Sequence, residues 1–314
     1  MKEDYSIIFC IQEAMDRTRD ILWPPDRRVW IRIFFLSLFI GGTLLTSFNT
    51  DMFGQFDFFL LITNPDIVAS YLSLLVIIGI LCIVTGLILL YIKSVFSYVF
   101  IDVLKNRHLS IRDAFLIQMR RGVQYFVFYV LIMIVASAII MIIAVIFLIP
   151  LLIQSEGKLL LFVDVIFSYL VLSLVALFPI WVVLVIMYDF VIPLMLYNDC
   201  SIYTAWEKAF SLFLKNKQKI VIYLIIRIIL TLVVTGIIGI ISFYLGFLLN
   251  TLFTAIPVVY LVQVICSVCV IISISLFLMT PVVTFFRFFS LIFLSQFDTR
   301  YAEFNYSEEM KFVN

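Results

Sequence analysis

Five of the ionisable side chains within apolar segments of this chain have a chemistry that needs an explanation first. They are Lys93, Asp102, Asp189, Arg227 and Arg287. A charge inside an apolar helix is costly, so such residues mark functional sites by default. Guanidinium groups bind phosphate oxygens through paired hydrogen bonds. Arg227 and Arg287, with Lys93 and Asp189 beside them, are therefore predicted to hold an anionic lipid headgroup between helices.

A structural role for the same residues is the alternative. Long basic side chains reach from a helix end to the membrane surface and need no ligand there. Asp189 could also neutralise a basic neighbour, and both Arg227 and Arg287 fit that position. A buried ion pair of this kind would hold helices together. The sequence leaves the headgroup site and the ion pair both open.

Residues that support catalysis or metal binding are scarce. The chain has one histidine, His108, in a basic turn, where a place at the lipid surface is favoured over catalysis. Cys266 and Cys269 have C-x-x-C spacing but fall within an apolar run, where packing is favoured over redox or metal chemistry. No phosphate-binding loop or hydrolase motif occurs. The sequence therefore predicts no enzyme, no metal and no cofactor.

The apolar composition indicates that transmembrane helices carry these charged residues. Of the 314 residues, 65% are hydrophobic and 13% are charged, whereas soluble domains contain about 25% charged residues. A transmembrane helix needs roughly 20 mostly apolar residues, and six stretches qualify. An all-α integral membrane protein with six transmembrane helices is predicted. The predicted spans are about 29–48, 67–105, 122–149, 160–198, 218–248 and 255–296.

Lysine and arginine are concentrated on one side of the predicted spans. Sixteen of them fall before the first span, in the two basic loops and after the last span, whereas Lys158 is alone on the other side. This bias predicts a multi-pass protein of the cytoplasmic (cell) membrane with both termini in the cytoplasm. The predicted domains are a cytoplasmic amphipathic N-terminal helix at 1–28, a six-span membrane domain at 29–296 and a cytoplasmic polar tail at 297–314.

A short pattern recurs before the first, third and fifth predicted spans. Residues 10–14, 110–114 and 201–205 each have the form x-I-x-x-A. Each opens an amphipathic stretch that ends in basic residues, which is typical of a helix in the membrane interface or packed against a neighbouring span. Three cytoplasmic elbow helices and a threefold elbow–span–span repeat are therefore predicted.

The third elbow and the basic residues near it form a predicted binding surface. Helical periodicity predicts that its apolar face comprises Ile202, Trp206, Phe210 and Phe213. A basic patch on the inner surface is predicted from Arg120, Arg121, Lys215, Lys217 and Lys219. Each basic residue near an anionic membrane surface contributes about 1 kcal/mol to binding.

The second, fourth and sixth predicted spans are longer than a bilayer needs. At 1.5 Å per residue, a span of about 39 residues would be near 58 Å long, against roughly 30 Å of hydrocarbon. These spans are predicted to tilt, to kink or to project beyond the membrane. Pro179, Pro193 and Pro281 are the expected kink positions.

The segment from Pro193 to Ile225 carries a family resemblance. It joins a proline-containing span end, a polar turn, a helix with Ala205, Trp206 and Ala209, basic residues and a further span. This layout resembles the repeat in the membrane domain attached to some glycerophosphodiester phosphodiesterases and in related six-span proteins of prokaryotes, archaeal members among them. Lys105–Leu131 looks like a second copy. The resemblance implies a fold and a membrane location but no activity, since the catalytic domain has no counterpart here.

The sequence thus predicts a non-enzymatic membrane scaffold or lipid-organising module. Its expected partners are membrane lipids, anionic ones among them, and a second copy or another membrane protein. The net charge of +1 gives no indication of nucleic-acid binding. The alternative is a transporter or permease subunit whose elbow at 201–217 docks a partner ATPase. A lipid-modifying enzyme, which would depend on His108, is the least favoured class.

Overall fold

The computed structural model describes residues 7–23, 26–40, 65–105, 110–153, 159–254 and 260–298. Within these ranges the chain forms helices and short turns, with no strand, so the predicted all-helical fold is confirmed. The helices are α1 (Ile7–Leu22), α2 (Arg27–Ile40), α3 (Pro65–Lys105), α4 (Ile111–Ile153), α5 (Leu159–Ile186), α6 (Ile192–Asn198), α7 (Ile202–Lys215), α8 (Lys217–Thr254) and α9 (Tyr260–Ser295). A π-helical turn, Met187–Val191, joins α5 to α6.

Five segments of the described chain are long and apolar enough to cross a membrane. They are Gly79–Lys105, Ile111–Phe147, Phe167–Asn198, Lys217–Leu249 and Phe277–Ser295. The first predicted span corresponds in part to α2, of which 14 residues are described. The rest of that span, residues 41–48, lies outside the described part of the chain, so a sixth crossing stays a prediction.

The second predicted elbow differs from the prediction, because it is not a separate helix. α4 starts at Ile111 and runs without interruption for 43 residues. Its first turns contain no proline, and Gly122 alone costs only about 1 kcal/mol in a helix interior. α7, by contrast, is a separate helix that starts at Ile202 and is capped by Ser201, whose hydroxyl accepts a hydrogen bond from the Thr204 N–H. The threefold repeat of separate elbows is therefore not present in the described residues.

Buried side chains are concentrated at one end of the bundle, which we call the packed end. It is formed by residues 95–104 of α3, 187–195 of the π turn and α6, and 284–294 of α9. In the most apolar part of the α9 segment 61% of the residues are buried, compared with 17% or less in the other four segments. α9 is therefore the central helix, and the remaining long helices present apolar surface outwards.

Helix α1 lies against α9 and does not stand alone in the membrane plane. Its buried residues Cys10, Ala14, Thr18 and Ile21 follow helical spacing along one face. The Gln296 amide at the end of α9 donates to the Cys10 sulfur at 2.9 Å. Burial raises the pKa of this thiol, which keeps it in the unreactive protonated form. Packing on a neighbouring helix was one of the two arrangements that the sequence left open.

Gly122 allows α3 and α4 to approach closely. A Cβ atom at this position would lie 2.5 Å from Cγ2 and 3.0 Å from Cα of Val95. Gly236 and Gly239 of α8 have no neighbouring atom within 4 Å of such a Cβ. The rings of Tyr98 and Tyr125 meet edge to face across the same helix pair, 6.2 Å apart. A side chain at position 122 would therefore push apart two helices that are otherwise well packed.

Candidate functional site

Three of the charged residues that the sequence singled out meet inside the packed end. Asp189 lies in the π turn, Arg227 on α8 and Arg287 on α9, and we call them the charge cluster. Asp189 and Arg287 have no exposed surface, and the Arg227 side chain is 11% exposed. Charges buried to this degree need partners, because desolvation costs several kcal/mol per ion. The contacts of each residue show how that cost is offset.

Asp189 pairs with Arg227 through a single carboxylate oxygen. The Arg227 Nε donates to Asp189 Oδ2 at 3.0 Å, and the Tyr223 hydroxyl donates to the same oxygen at 3.0 Å. The Arg227 guanidinium also lies 3.5 Å from the centre of the Phe286 ring. Its Nη1 donates to Thr231 Oγ1 at 2.9 Å. The ion pair that the sequence offered as a structural alternative is therefore present, with Arg227 as the partner.

Arg287 connects three elements through backbone carbonyls. Its Nη1 donates to the carbonyl of Tyr188 and its Nη2 to the carbonyl of Ser97, each at 2.8 Å. The guanidinium also lies 4.2 Å from the centre of the Tyr188 ring. These contacts join α9 to the π turn and to α3. Arg287 therefore acts as a cross-link at the centre of the packed end.

The π turn explains why the Tyr188 carbonyl accepts a side-chain donor. The N–H of Ile192 donates to the carbonyl of Met187, five residues earlier, and so is not shared with Tyr188 in α-helical fashion. Continuing the π pattern, the donor to Tyr188 would be the N–H of residue 193, which is a proline and has none. The guanidinium of Arg287 fills this role.

Each long helix contains a stretch of at least 24 residues without a charged side chain. Residues 67–92, 122–153, 165–188, 228–254 and 260–286 contain no charged side chain. These stretches have about 24 to 32 residues, or roughly 36–48 Å at 1.5 Å per residue. A hydrocarbon core of about 30 Å fits entirely within them. A hydrocarbon core placed on these stretches would leave the charge cluster at or beyond its edge.

Lys93 and Asp102 contact α4 and not the charge cluster. The Lys93 ammonium lies 5.5 Å from the centre of the Tyr129 ring. The carboxylate of Asp102 accepts from Gln118 Nε2 at 2.7 Å. The four predicted headgroup ligands are therefore not brought together, since Lys93 stands apart from Asp189, Arg227 and Arg287.

A second polar network joins α4 to the turn before α7. Arg121 Nη1 donates to the Gln118 amide oxygen at 2.7 Å, and Nη2 donates to Asp199 Oδ1 at 2.6 Å. Asp199 has φ = 46°, a left-handed conformation that aspartate and asparagine tolerate better than most residues. The hydrogen bond and the charge of Arg121 hold the pKa of Asp199 below its usual range. Arg121 is thus engaged in a structural contact.

The predicted basic patch is divided by this contact. Arg120, Lys215, Lys217 and Lys219 are exposed, whereas Arg121 is partly covered and paired with Asp199. Four of the five predicted residues therefore present their charges at the surface. The fifth holds the turn that leads into α7.

The apolar face of α7 faces two environments. Ile202 is buried, and Trp206 and Phe213 are half-buried, with the Trp206 ring centre 5.7 Å from that of Phe128. Phe210 is 61% exposed and points away from the protein, next to Tyr203 and Leu214, which are 77% and 50% exposed. The four predicted residues therefore form one continuous apolar arc, of which only part contacts the bundle.

Several residues of the site were not among those predicted. They are Ser97, Tyr188 and Tyr223, which bind the charge cluster, and Gln118, which links Asp102 to Arg121. One signal for Tyr188 was present, because Pro193 deprives an upstream carbonyl of its donor. His108 lies outside the described residues. Among the residues that are described, no group of three or more metal-ligating side chains occurs.

Long apolar helices around a central helix, each with an uncharged stretch long enough to cross a bilayer, are typical of an all-helical polytopic membrane protein. The chain belongs to a family of unknown function, DUF7544, whose model matches residues 5–304. No curated protein and no solved structure matches it. The resemblance to membrane domains of glycerophosphodiester phosphodiesterases stays a prediction.

Proposed function

We propose that this protein is a non-enzymatic scaffold of the cytoplasmic membrane that binds anionic lipid headgroups at its packed end. The observation that carries the proposal is the exposed side of α7. It combines the apolar residues Tyr203, Phe210 and Leu214 with exposed Lys208 and Lys215. A helix with an apolar edge beside basic residues is suited to the interface between acyl chains and anionic headgroups.

The basic residues that serve this function are the exposed ones. Arg120, Lys215, Lys217 and Lys219 are exposed, and each would contribute about 1 kcal/mol near an anionic surface. Arg227 and Arg287 already donate to Asp189 and to backbone carbonyls inside the protein. We therefore propose that the exposed surface residues bind the lipid headgroups. The charge cluster stabilises the packed end.

The test measures retention of anionic lipid by native mass spectrometry of protein extracted in a mild detergent. Phosphatidylglycerol and phosphatidylcholine are added separately. The variant Lys215→Gln/Lys217→Gln should lose about 2 kcal/mol of phosphatidylglycerol binding, or roughly 30-fold in affinity, with phosphatidylcholine unchanged. Arg27→Gln/Arg28→Gln is the matched control, since these residues are also exposed but lie on α2.

Equal losses in the two variants would show that total charge, and not the α7 surface, determines lipid retention, and would count against the proposal. The same spectra report bound proteins. A co-purifying ATPase would favour the alternative function, a permease subunit that docks its ATPase through α7.

A further inference from the structure

The ammonium group of Lys93 on α3 has no polar partner among the residues that the structure describes. Its side chain makes no hydrogen bond there, and no carboxylate lies within 4 Å of it. Its contact is the ring of Tyr129 on α4, whose centre is 5.5 Å from Nζ. The face of an aromatic ring attracts a cation, but it offsets only part of the cost of removing an ammonium from water. Lys93 therefore carries a positive charge that the described chain leaves largely uncompensated.

Two buried arginines show how the protein compensates a charge when it supplies the partner itself. Arg227 donates to the Asp189 carboxylate, and Arg287 donates to two backbone carbonyls. Both arginine side chains are almost completely enclosed, whereas Lys93 is partly exposed. A group from outside the chain can therefore reach Lys93, and an external anion can serve as its partner.

The position of Lys93 along α3 matches the depth of a lipid phosphate. Lys93 follows directly on the uncharged stretch 67–92. It lies about 18 Å before Lys105, the last residue of α3, at 1.5 Å per residue. A hydrocarbon core of roughly 30 Å fits on the uncharged stretch, and the headgroup layer lies next to that core. A headgroup phosphate is therefore within reach of a lysine at this position.

Apolar surface beside Lys93 favours a lipid over a free phosphate ion. Ile88 precedes Lys93 on α3, Val127 and Leu131 flank Tyr129 on α4, and all three are exposed. Acyl chains can cover such surface, whereas a free ion cannot. An anionic lipid also neutralises the lysine, whereas the phosphate of a zwitterionic lipid already has an opposite charge in its own headgroup.

We propose that Lys93 binds the phosphate of one anionic phospholipid where α3 meets α4, with the Tyr129 ring as the contact of the ammonium on the protein side. This site is separate from the surface of α7, and it does not depend on the proposed function.

The site is tested by native mass spectrometry of the full chain in a mild detergent at limiting phosphatidylglycerol, where the most tightly held lipid dominates the spectrum. Lys93→Met removes the charge and should lower the affinity for this lipid about tenfold, as expected for the loss of one charge-assisted hydrogen bond. Lys93→Arg keeps the charge and should keep the lipid.

Lys105→Met is the matched control. Lys105 is also a lysine of α3 whose Nζ lies near a tyrosine ring, 5.2 Å from the centre of Tyr197, but it is exposed at the end of the helix. This variant should keep the tightly held lipid. Unfolding temperatures in lipid-free detergent check that each variant is folded.

Three results would overturn the Lys93 site. The first is that Lys93→Met retains the lipid as well as the unchanged protein does. The second is an equal loss in Lys93→Met and Lys105→Met, which would mean that any lysine of α3 serves. The third is an equal loss in Lys93→Met and Lys93→Arg, which would mean that side-chain shape and not charge decides.

Inorganic phosphate in large excess distinguishes the two sources of a phosphate group. If phosphatidylglycerol stays bound, the site takes its phosphate from a lipid, as proposed. If inorganic phosphate displaces phosphatidylglycerol, the site takes a free anion and the lipid assignment is overturned.

The Lys93 site and the proposed function fail in different ways. Loss of the tightly held lipid in Lys93→Met, with unchanged lipid binding in Lys215→Gln/Lys217→Gln, would keep the Lys93 site and refute the function of α7. Lost lipid binding in the α7 variant with full retention in Lys93→Met would do the reverse.

Discussion

Arg287 donates to the carbonyl of Tyr188 at 2.8 Å and thereby replaces a backbone hydrogen bond that Pro193 is unable to make. The proline lies five residues after Tyr188, where a π-helical pattern would place the donor. Arg287 is fully buried, so water does not substitute for it. A side chain on α9 thus completes the backbone of the segment between α5 and α6, and the two residues should depend on each other.

A double-mutant cycle measures this dependence. Arg287→Met leaves the Tyr188 carbonyl buried without a donor and should lower the free energy of unfolding by about 1–3 kcal/mol from this contact alone. Pro193→Ala restores an N–H that can serve the backbone. Arg287→Met should therefore cost about 1 kcal/mol less in the Pro193→Ala background. Thermal unfolding in detergent provides the comparison, and equal losses in both backgrounds would contradict the link to the proline.

Substitution of Asp189 should be the most damaging change in the charge cluster. Asp189→Asn leaves the buried Arg227 without an opposite charge, which costs about 3–5 kcal/mol when one partner of a buried pair is removed. Tyr223→Phe removes only one hydrogen bond to the same carboxylate and should cost about 0.5–1.5 kcal/mol. Unfolding temperatures of the two variants give the order.

The double variant Asp189→Asn/Arg227→Gln provides the check on the cause. Because it removes both charges, it should recover part of the stability that Asp189→Asn loses. If the double variant is less stable than Asp189→Asn, the loss arises from packing and not from an unpaired charge.

Gly122→Ala tests the close approach of α3 and α4. The new methyl group would lie 2.5 Å from Val95 Cγ2, and overpacking of this kind costs about 1–3 kcal/mol. Gly236→Ala is the matched control, since that position has no neighbour within 4 Å and should be neutral or slightly stabilising. Val95→Ala should restore part of the loss in the Gly122→Ala background. A Gly122→Ala protein as stable as the Gly236→Ala control would refute the tight contact.

The ion pair between Arg121 and Asp199 should make stability depend on acid pH. Since Arg121 lowers the pKa of Asp199 from its ordinary value of 3.8, the unfolded state binds the proton more readily than the folded state. The stabilising contribution is therefore complete above the ordinary pKa and is lost as pH falls below it through the folded-state pKa. Asp199→Asn keeps the left-handed conformation available and should show a smaller loss of unfolding temperature between pH 5 and pH 3.

Arg121→Gln should show the same reduced dependence as Asp199→Asn, because it returns the Asp199 pKa towards its ordinary value. A pH dependence equal to that of the unchanged protein in both variants would mean that other carboxylates account for it.

The sequence predicted the long helices well because charge determines their limits. α3 ends at Lys105, the last residue of the predicted span, and α8 begins within one residue of its prediction. The separate second elbow was predicted wrongly, since amphipathic character alone does not end a helix. α4 continues through Gly122 because its first turns contain no proline, so no backbone donor is missing where the elbow was predicted to end.

The side-chain partners were less predictable for a different reason. Periodicity placed Phe210 and Phe213 on one apolar face, but acyl chains and protein side chains are equally apolar neighbours, so it could not show that Phe210 faces outwards. In the same way, the sequence named two arginines as partners of Asp189. Only the arrangement of α8 and α9 around the π turn shows that the Asp189 carboxylate pairs with Arg227.

The central position of α9 has a consequence for biogenesis. Residues near the two ends of the chain meet on this helix: Cys10 contacts Gln296, and Ser37 contacts Thr280. The helix that completes the packed end is the last of the described helices to leave the ribosome. The surfaces of α1 and α2 that contact α9 therefore stay uncovered while the intervening helices are synthesised. Contacts of such sequence separation form slowly, so the nascent chain exposes this surface to chaperones, proteases or the insertion machinery for most of its synthesis.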